Sequence, residues 1–289
     1  MLLKELIIKG TETISSLYPD GEAKEMVYAF LEHHIGTKRH THIIEPMYVV
    51  VDDLAEVALA AFQRMASGEP LQYIIGKAWF YNREFKVTPD VLIPRPETEI
   101  LVSEAVSGSL PSRVMDMCTG SGCIAWTLAL EMPGTEVVAV DISDGALKVA
   151  SSQDFAQEIA KTGALAPEFI KSDGRAEELD PAVEGKFDIL VSNPPYVMEK
   201  DKELMRANVL EHEPHLALFV PDDDPLVFYR AIAGHALRYL SPEGFGLVEI
   251  NEALGEETAD VFRALGFEAH VIRDLSDKER FVRFRFEKK

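Results

Sequence analysis

Over the first seventy-five residues, apolar side chains recur at helical spacing. Leu2, Leu3, Leu6 and Ile7 form one stripe, and Met26, Val27, Phe30 and Leu31 repeat its i, i+1, i+4, i+5 pattern. Asp20-Gly21 stands before the second stripe as a start signal. Residues 52–65 predict a third helix, with Leu54, Val57, Ala58, Ala61 and Phe62 on one face, and Gly68-Glu69-Pro70 stops it. The expectation is a small helical domain over residues 1–75.

The period then changes. Trp79-Phe80-Tyr81 and Phe85-Lys86-Val87 flank Asn82-Arg83-Glu84, the pattern of a β-hairpin, and residues 76–91 are expected to link two domains. A helix follows through Ile100, Leu101 and Ala105, with Thr98 or Glu97 as its cap. From Arg113 onward strands and helices alternate. Strands are expected at 113–117, 136–140, 169–170, 187–191, 246–250, 269–272 and 281–286. Helices are expected at 123–130, from about 145, and at 226–240 behind Pro225, which suits a first helical turn. Strand–helix alternation predicts an α/β domain on a parallel sheet over residues 92–289.

The tetrapeptide Asn193-Pro194-Pro195-Tyr196 ends the expected strand 187–191. Neither proline can donate to a ladder, so the chain leaves the sheet there in a rigid turn beyond a carboxyl end, where open α/β sheets bind ligands. An amide, two ring-locked residues and an aromatic ring suit a planar NH2-bearing group, either a nucleobase or a side-chain amide.

A second candidate site lies between the first parallel strand and its helix, in Cys118-Thr119-Gly120-Ser121-Gly122. Gly120 and Gly122 permit a tight turn and close backbone approach, and the helix start behind them offers free N–H groups. The segment lacks both the GxGxxG dinucleotide fingerprint and the Gly-Lys-Ser/Thr of a P-loop. Asp141 closes the second strand about 20 residues on, where an acidic side chain can accept from both hydroxyls of a ribose. A ribose anchor without a pyrophosphate cradle fits S-adenosyl-methionine better than NAD.

These segments together resemble the class I S-adenosyl-methionine-dependent methyltransferases. More narrowly, they resemble the protein-(glutamine-N5) methyltransferases of peptide-chain release factors. The resemblance runs through most of the chain. It rests on Ile93-Pro94-Arg95-Pro96-Glu97-Thr98-Glu99, Asp116 through Gly122, Val140-Asp141-Ile142-Ser143 and Ser192-Asn193-Pro194-Pro195-Tyr196. Glu213-Pro214, Ala217-Leu218 and Glu249-Ile250 support it. The NPPY tetrapeptide is shared with methyltransferases acting on adenine N6, whereas the IPRPETE segment separates this group from them. Glutamine methyltransferases of a ribosomal protein depart from it there.

The resemblance implies a doubly wound, mostly parallel seven-stranded sheet preceded by a helical substrate-binding domain. It implies that Cys118, Thr119, Gly120, Ser121 and Gly122 line the cofactor pocket, that Asp141 holds the ribose, and that Asn193 lies between cofactor and substrate. The catalytic set is then Asn193, Pro194 and Tyr196, with Pro195 completing the substrate turn, and no metal is needed. Two departures stand out. Gly174 occupies a position where some members carry an aromatic residue near the adenine, so another group must cover that face. Cys118 replaces a common glycine.

Composition narrows the alternatives. The chain of 289 residues has 47% hydrophobic residues and a net charge of −20. Such a surface repels phosphate backbones and disfavours the nucleic-acid reading, a methyltransferase of adenine N6 in DNA or RNA. No apolar run reaches the ~18–20 residues of a membrane span, and no signal or transit segment stands out, so a cytoplasmic protein is expected. The two cysteines, Cys118 and Cys123, match no metal or redox spacing. His33, His34, His40 and His42 lack partners at metal spacing and read as surface residues. Arg95, held between prolines, is expected to fix its loop by pairing with a carboxylate such as Glu97 or Glu99. Asp274 and Arg280 are expected to form a loop contact, and Asp222-Asp223-Asp224 a solvated loop.

Overall fold

The computed structural model describes residues 1–108, 110–274 and 276–287. Two compact units divide the chain: Met1–Lys77 with Met205–His212, and Ala78–Leu204 with Glu213–Lys289.

The first unit is helical, with α1 (Leu3–Ile14), α2 (Asp20–Ile35), α3 (Thr41–Ile44), α4 (Asp52–Ala66) and α5 (Leu71–Ile75). The apolar stripes become one core, including Leu6, Val27, Phe30, Ala58 and Phe62. Gly10 permits a close approach of α1 to α2 and α4: a Cβ there would lie 2.6 Å from Phe62 Cε2 and 2.9 Å from Val27 Cγ2. Gly36 ends α2 in the left-handed conformation, at φ 77°. The helices α3 and α5, of 4 and 5 residues, are too short to show a period. His34 stacks on Phe30 and His42 on Tyr28.

The second unit opens with a hairpin, β1 (Lys77–Phe80) and β2 (Arg83–Lys86). Its turn is Tyr81-Asn82 and not the expected Asn82–Glu84. Both turn residues have positive φ, 49° and 60°, as in two-residue loops that match the twist of paired strands. Then follow α6 (Thr98–Val106), β3 (Arg113–Met117), α7 (Cys123–Glu131), β4 (Glu136–Asp141), α8 (Asp144–Ser151), α9 (Ala156–Thr162), β5 (Glu168–Lys171), β6 (Phe187–Ser192) and β7 (Val197–Met198). After α10 (Ala207–His212), which belongs to the first unit, come β8 (Phe219–Val220), α11 (Val227–Tyr239), β9 (Leu240–Glu249), α12 (Gly255–Arg263), β10 (Phe267–Arg273) and β11 (Glu279–Phe286).

Seven strands form one sheet in the order β10-β11-β9-β6-β3-β4-β5. Strands β9, β6, β3, β4 and β5 pair in parallel, and β11 runs antiparallel to both of its neighbours. Adjacent residues of the central strands alternate between two cores, as the period of two requires. Met115, Leu190 and Val248 join the core that contains Tyr229 of α11 and Phe262 of α12. Val114, Ile189 and Leu247 join the core that contains Leu101 of α6, Leu128 of α7 and Phe85 of the hairpin.

The strand order reverses between β3 and β6. These neighbours are in register at Met117 and Ser192, and Met117 also faces Val140 on β4. The turns after Met117, Val140-Asp141 and Ser192 therefore leave the sheet side by side, at the switch point where such folds bind ligands.

Candidate active site

A cavity of about 220 Å³ lies at this edge of the second unit. Of the residues expected there, Cys118, Thr119, Gly120, Ser121, Asp141, Asn193 and Pro195 line it. Gly122 lies behind the turn, where a Cβ would come within 3.0 Å of Ala150 Cβ. Pro194 is buried beneath the turn, and Tyr196 packs against the sheet core.

The first turn is held by its own backbone. Gly120 and Gly122 have φ of 56° and 78°, and Cys118 is also left-handed, at φ 60°. That conformation is unusual for a residue with a Cβ. Glycine adopts it without that cost. Burial, reinforced by Asp141, pushes the Cys118 thiol far up, and burial raises the Cys123 thiol to about 12, so both stay protonated.

Asp141 is fixed by two backbone donors, Gly120 N–H to Oδ2 and Ser143 N–H to Oδ1, each at 2.9 Å. Burial raises its carboxyl above the ordinary range, and the backbone donors oppose that shift. Behind it, Asp116 is fully buried on β3. Its Oδ2 accepts from Thr119 Oγ1 at 2.6 Å, while Oδ1 has no partner among the described residues. Burial pushes Asp116 to about 7.

On the Gly174 side, a Cβ would stand 3.4 Å from Met117 Cε, so glycine leaves this wall thin but not closed. His235 Nε2 holds the Gly174 carbonyl at 3.1 Å. The ring of Phe228, in the first turn of α11, and the guanidinium of Arg175 both line the cavity. The guanidinium carbon lies 5.6 Å from the ring centroid.

The Asn193 turn is tied down from below. Ser192 Oγ donates to the Met117 carbonyl at 2.7 Å, joining the ends of β3 and β6. Asn193 Nδ2 donates to Thr98 Oγ1 at 3.2 Å, and Thr98 Oγ1 donates to Glu249 Oε2 at 2.7 Å. Tyr196 OH donates to Glu249 Oε1 at 3.0 Å, and Asn251 Nδ2 to the Tyr196 carbonyl at 3.2 Å. Burial first, then the Glu249 charge, raises the Tyr196 hydroxyl well above its ordinary value.

Two expectations in the IPRPETE segment are corrected. Neither Thr98 nor Glu97 caps α6 by its side chain, because the Thr98 hydroxyl is committed to Glu249. Arg95 pairs not with Glu97 or Glu99 but with Glu213, whose side chain is 1% exposed. Its Oε1 lies 2.5 Å from Arg95 Nη2, and its Oε2 accepts from Ile93 N–H at 3.1 Å. Glu99 instead accepts from Tyr81 N–H at 2.9 Å. Elsewhere Arg280 Nε and Asp274 Oδ2 pair at 2.8 Å as expected. In the acidic loop Asp222 accepts from Lys200 N–H, and Asp224 is ion-paired with Arg230.

Sequence reasoning gave Thr98 only a capping role, assigned none to Phe228 or Arg175, and cited Glu213 and Glu249 only as motif residues.

Residues 96–217 match the Methyltransferase small domain family, and residues 5–76 match the PrmC N-terminal domain family. The chain is 35% identical over 298 aligned residues to a release factor glutamine methyltransferase of Flavobacterium psychrophilum, covering 99% of this chain and 100% of the relative. It is 42% identical over 222 residues to a release factor glutamine methyltransferase of Bacteroides thetaiotaomicron, covering 76% of this chain and 77% of that one. Among solved structures, the release-factor-specific protein-(glutamine-N5) methyltransferase of Alicyclobacillus acidocaldarius is 30% identical. It covers 70% of this chain and 100% of its own, with a TM-score of 0.40.

Proposed function

This chain belongs to the release factor glutamine methyltransferase family, and we propose that its cavity brings S-adenosyl-methionine against the side-chain amide of a release-factor glutamine presented at Asn193. The observation that carries this reading is the register of three turns on one sheet edge: an anchored carboxylate (Asp141), a glycine-rich turn, and an amide-bearing NPPY turn beside them.

The donor set fits the cofactor. Asp141 presents an oriented carboxylate for the two ribose hydroxyls. The turn from Cys118 to Ser121 has no phosphate-binding lysine and leaves room for an amino-acid tail. Phe228, with the Arg175 guanidinium beside it, lines the same cavity as Gly174 and is the aromatic side chain assigned to cover the adenine. Phe228→Ala is expected to weaken S-adenosyl-homocysteine binding about tenfold, from the loss of about 0.5–1.5 kcal/mol of ring contact together with buried area. Unchanged affinity in a calorimetric titration rejects that assignment.

The bound cofactor supplies an electrophilic methyl on a sulfonium. A carboxamide nitrogen is a poor nucleophile, because its lone pair is delocalised into the carbonyl. Asn193 Oδ1 and the Pro194 carbonyl accept the two NH2 hydrogens of the glutamine. They orient its nitrogen and stabilise the positive charge that develops there as the N–CH3 bond forms and the S–CH3 bond breaks, until one of the two NH2 protons passes to water and leaves a neutral methylamide. Pro194 and Pro195 keep these acceptors rigid, and Tyr196, anchored to Glu249, holds the end of the turn.

The helical residues 1–75 are assigned to partner selection, in keeping with the family match over 5–76. With 49 acidic against 29 basic residues in the chain, a nucleic-acid substrate is disfavoured. Asn193→Ala should abolish methyl transfer while S-adenosyl-homocysteine still binds. Near-wild-type turnover by that variant rejects the mechanism.

A further inference from the structure

A carboxamide is nearly symmetric in shape, so nothing intrinsic decides which end of Asn193 faces the cavity. The two orientations are chemically opposite. With Oδ1 outward the site accepts hydrogens from an NH2 group, and with Nδ2 outward two donors oppose each other and the site is useless for an amide substrate. Resting on the glutamine-methylation reading above, we infer that Thr98 and Glu249 are positioning residues that fix the Asn193 carboxamide with its oxygen toward the substrate.

A hydroxyl alone cannot impose that choice, because Thr98 Oγ1 can donate or accept. The polarity comes from Glu249. An ionised carboxylate only accepts, and both of its oxygens are committed, Oε2 to Thr98 at 2.7 Å and Oε1 to Tyr196 OH at 3.0 Å. The Thr98 proton therefore points to Glu249, and only its lone pairs remain for Asn193. Nδ2 takes them, at 3.2 Å. Oδ1 is left for the cavity, and among the described residues nothing donates to it. Thr98 is 2% and Glu249 3% exposed, so water does not dilute this polarity. The Glu249 backbone is itself held, its carbonyl accepting from Tyr229 OH at 3.1 Å.

The arrangement has a built-in charge dependence. A protonated Glu249 becomes a donor, frees Thr98 to donate toward Asn193, and permits the inactive orientation. Groups from every neighbouring element bear on Glu249: Thr98 and Glu97 at the start of α6, Tyr196 on the NPPY turn, Tyr229 on α11, and Arg280 on β11 with its partners Asp274 and Glu252. Burial raises the Glu249 carboxyl. The hydrogen bonds from Thr98 and Tyr196 and the Arg280 charge oppose the rise, and Glu97 adds to it. At saturating cofactor, turnover should therefore fall with acid along a single titration lying above the ordinary carboxylate range.

The test uses the full-length wild type, Thr98→Val, Thr98→Ser and Glu249→Gln. Two readouts are taken: turnover on a release factor, and exchange of the Asn193 side-chain NH2 protons by NMR, which needs no substrate. Thr98→Val and Glu249→Gln should lower kcat about tenfold or more, with S-adenosyl-homocysteine affinity within about twofold. Their Asn193 NH2 protons should exchange faster. Thr98→Ser should restore most of the turnover and the slow exchange, and Glu249→Gln should lose the acid limb. Wild-type kcat or unchanged NH2 exchange in Thr98→Val overturns the inference, as does a Ser variant as defective as the Val variant, which would make the role one of packing. If the release factor is not methylated by the wild type, the substrate reading fails, and the exchange arm still decides the orientation of Asn193.

Discussion

Asp141→Asn separates cofactor binding from the rest of the chemistry. In the proposed complex an ionised carboxylate accepts from both ribose hydroxyls, and hydrogen bonds to a charged group contribute roughly 1.5–3 kcal/mol each. Asparagine keeps one uncharged acceptor and places an NH2 where the other oxygen stood. One bond is lost and the other falls to an ordinary ~1 kcal/mol, so the expected loss is about 3 kcal/mol, or roughly 100-fold in affinity. The turn is also perturbed, since Gly120 N–H and Ser143 N–H each use one Asp141 oxygen and one of them meets a donor instead. Titration calorimetry with S-adenosyl-homocysteine measures the first effect, and urea unfolding of the same material measures the second. A pH series adds a sign. The Asp141 pKa is raised by burial, and the ionised form binds, so wild-type affinity should fall as pH drops through a value above the ordinary carboxylate range. The variant should show no such fall. Affinity within about threefold of wild type in a folded variant refutes the ribose assignment.

Other predictions concern the frame of the site. Gly246→Ala would put a Cβ 2.0 Å from Phe284 Cζ, and that ring is stacked at 4.0 Å on Phe262 and edge-on to Phe267. The ring has nowhere to move, so a loss of about 3 kcal/mol is expected in urea unfolding; a variant as stable as wild type means that the strands separate more easily than their packing implies. Asp116 has a folded pKa of about 7, above its unfolded value, so its contribution is fully present below the unfolded pKa and is lost as pH rises through 7. Between pH 5 and pH 8 wild type should lose about 3 kcal/mol more than Asp116→Asn, at about 1.4 kcal/mol per unit over the two units below the folded pKa. Equal slopes for the two proteins would show that Asp116 is not held protonated.

The segments that line the cavity were legible because each is contiguous. The NPPY turn, the turn from Cys118 to Gly122 and Asp141 each carry their signal in a few adjacent residues, and strand–helix alternation predicted the sheet that aligns them. The supports were hidden because they join distant positions. Ile93 and Arg95 find Glu213 about 120 residues away, and Thr98 finds Glu249 across 151. Locally, Thr98 looks like a helix cap, and only the fold reveals a stronger acceptor. Short elements were missed for a related reason. No residue of α9 is fully buried, and the buried face of α12 is made of Gly255, Thr258, Ala259 and Phe262, of which only Phe262 is a large apolar side chain that stands out in the sequence. Strand β9 begins at Leu240, earlier than its apolar run suggests, because it carries Pro242 and Gly244 beside a register shift between Phe187 and Ile189.

Giving the purified protein methyl-labelled S-adenosyl-methionine with release factor and, in parallel, with DNA and RNA decides which acceptor it uses. Fragmentation of the labelled product then locates the methyl group. The expected result is label in the release factor alone, on a glutamine side-chain nitrogen, and none when Asn193 is alanine. Label in nucleic acid alone, or in the release factor at a site other than a glutamine amide, contradicts the account.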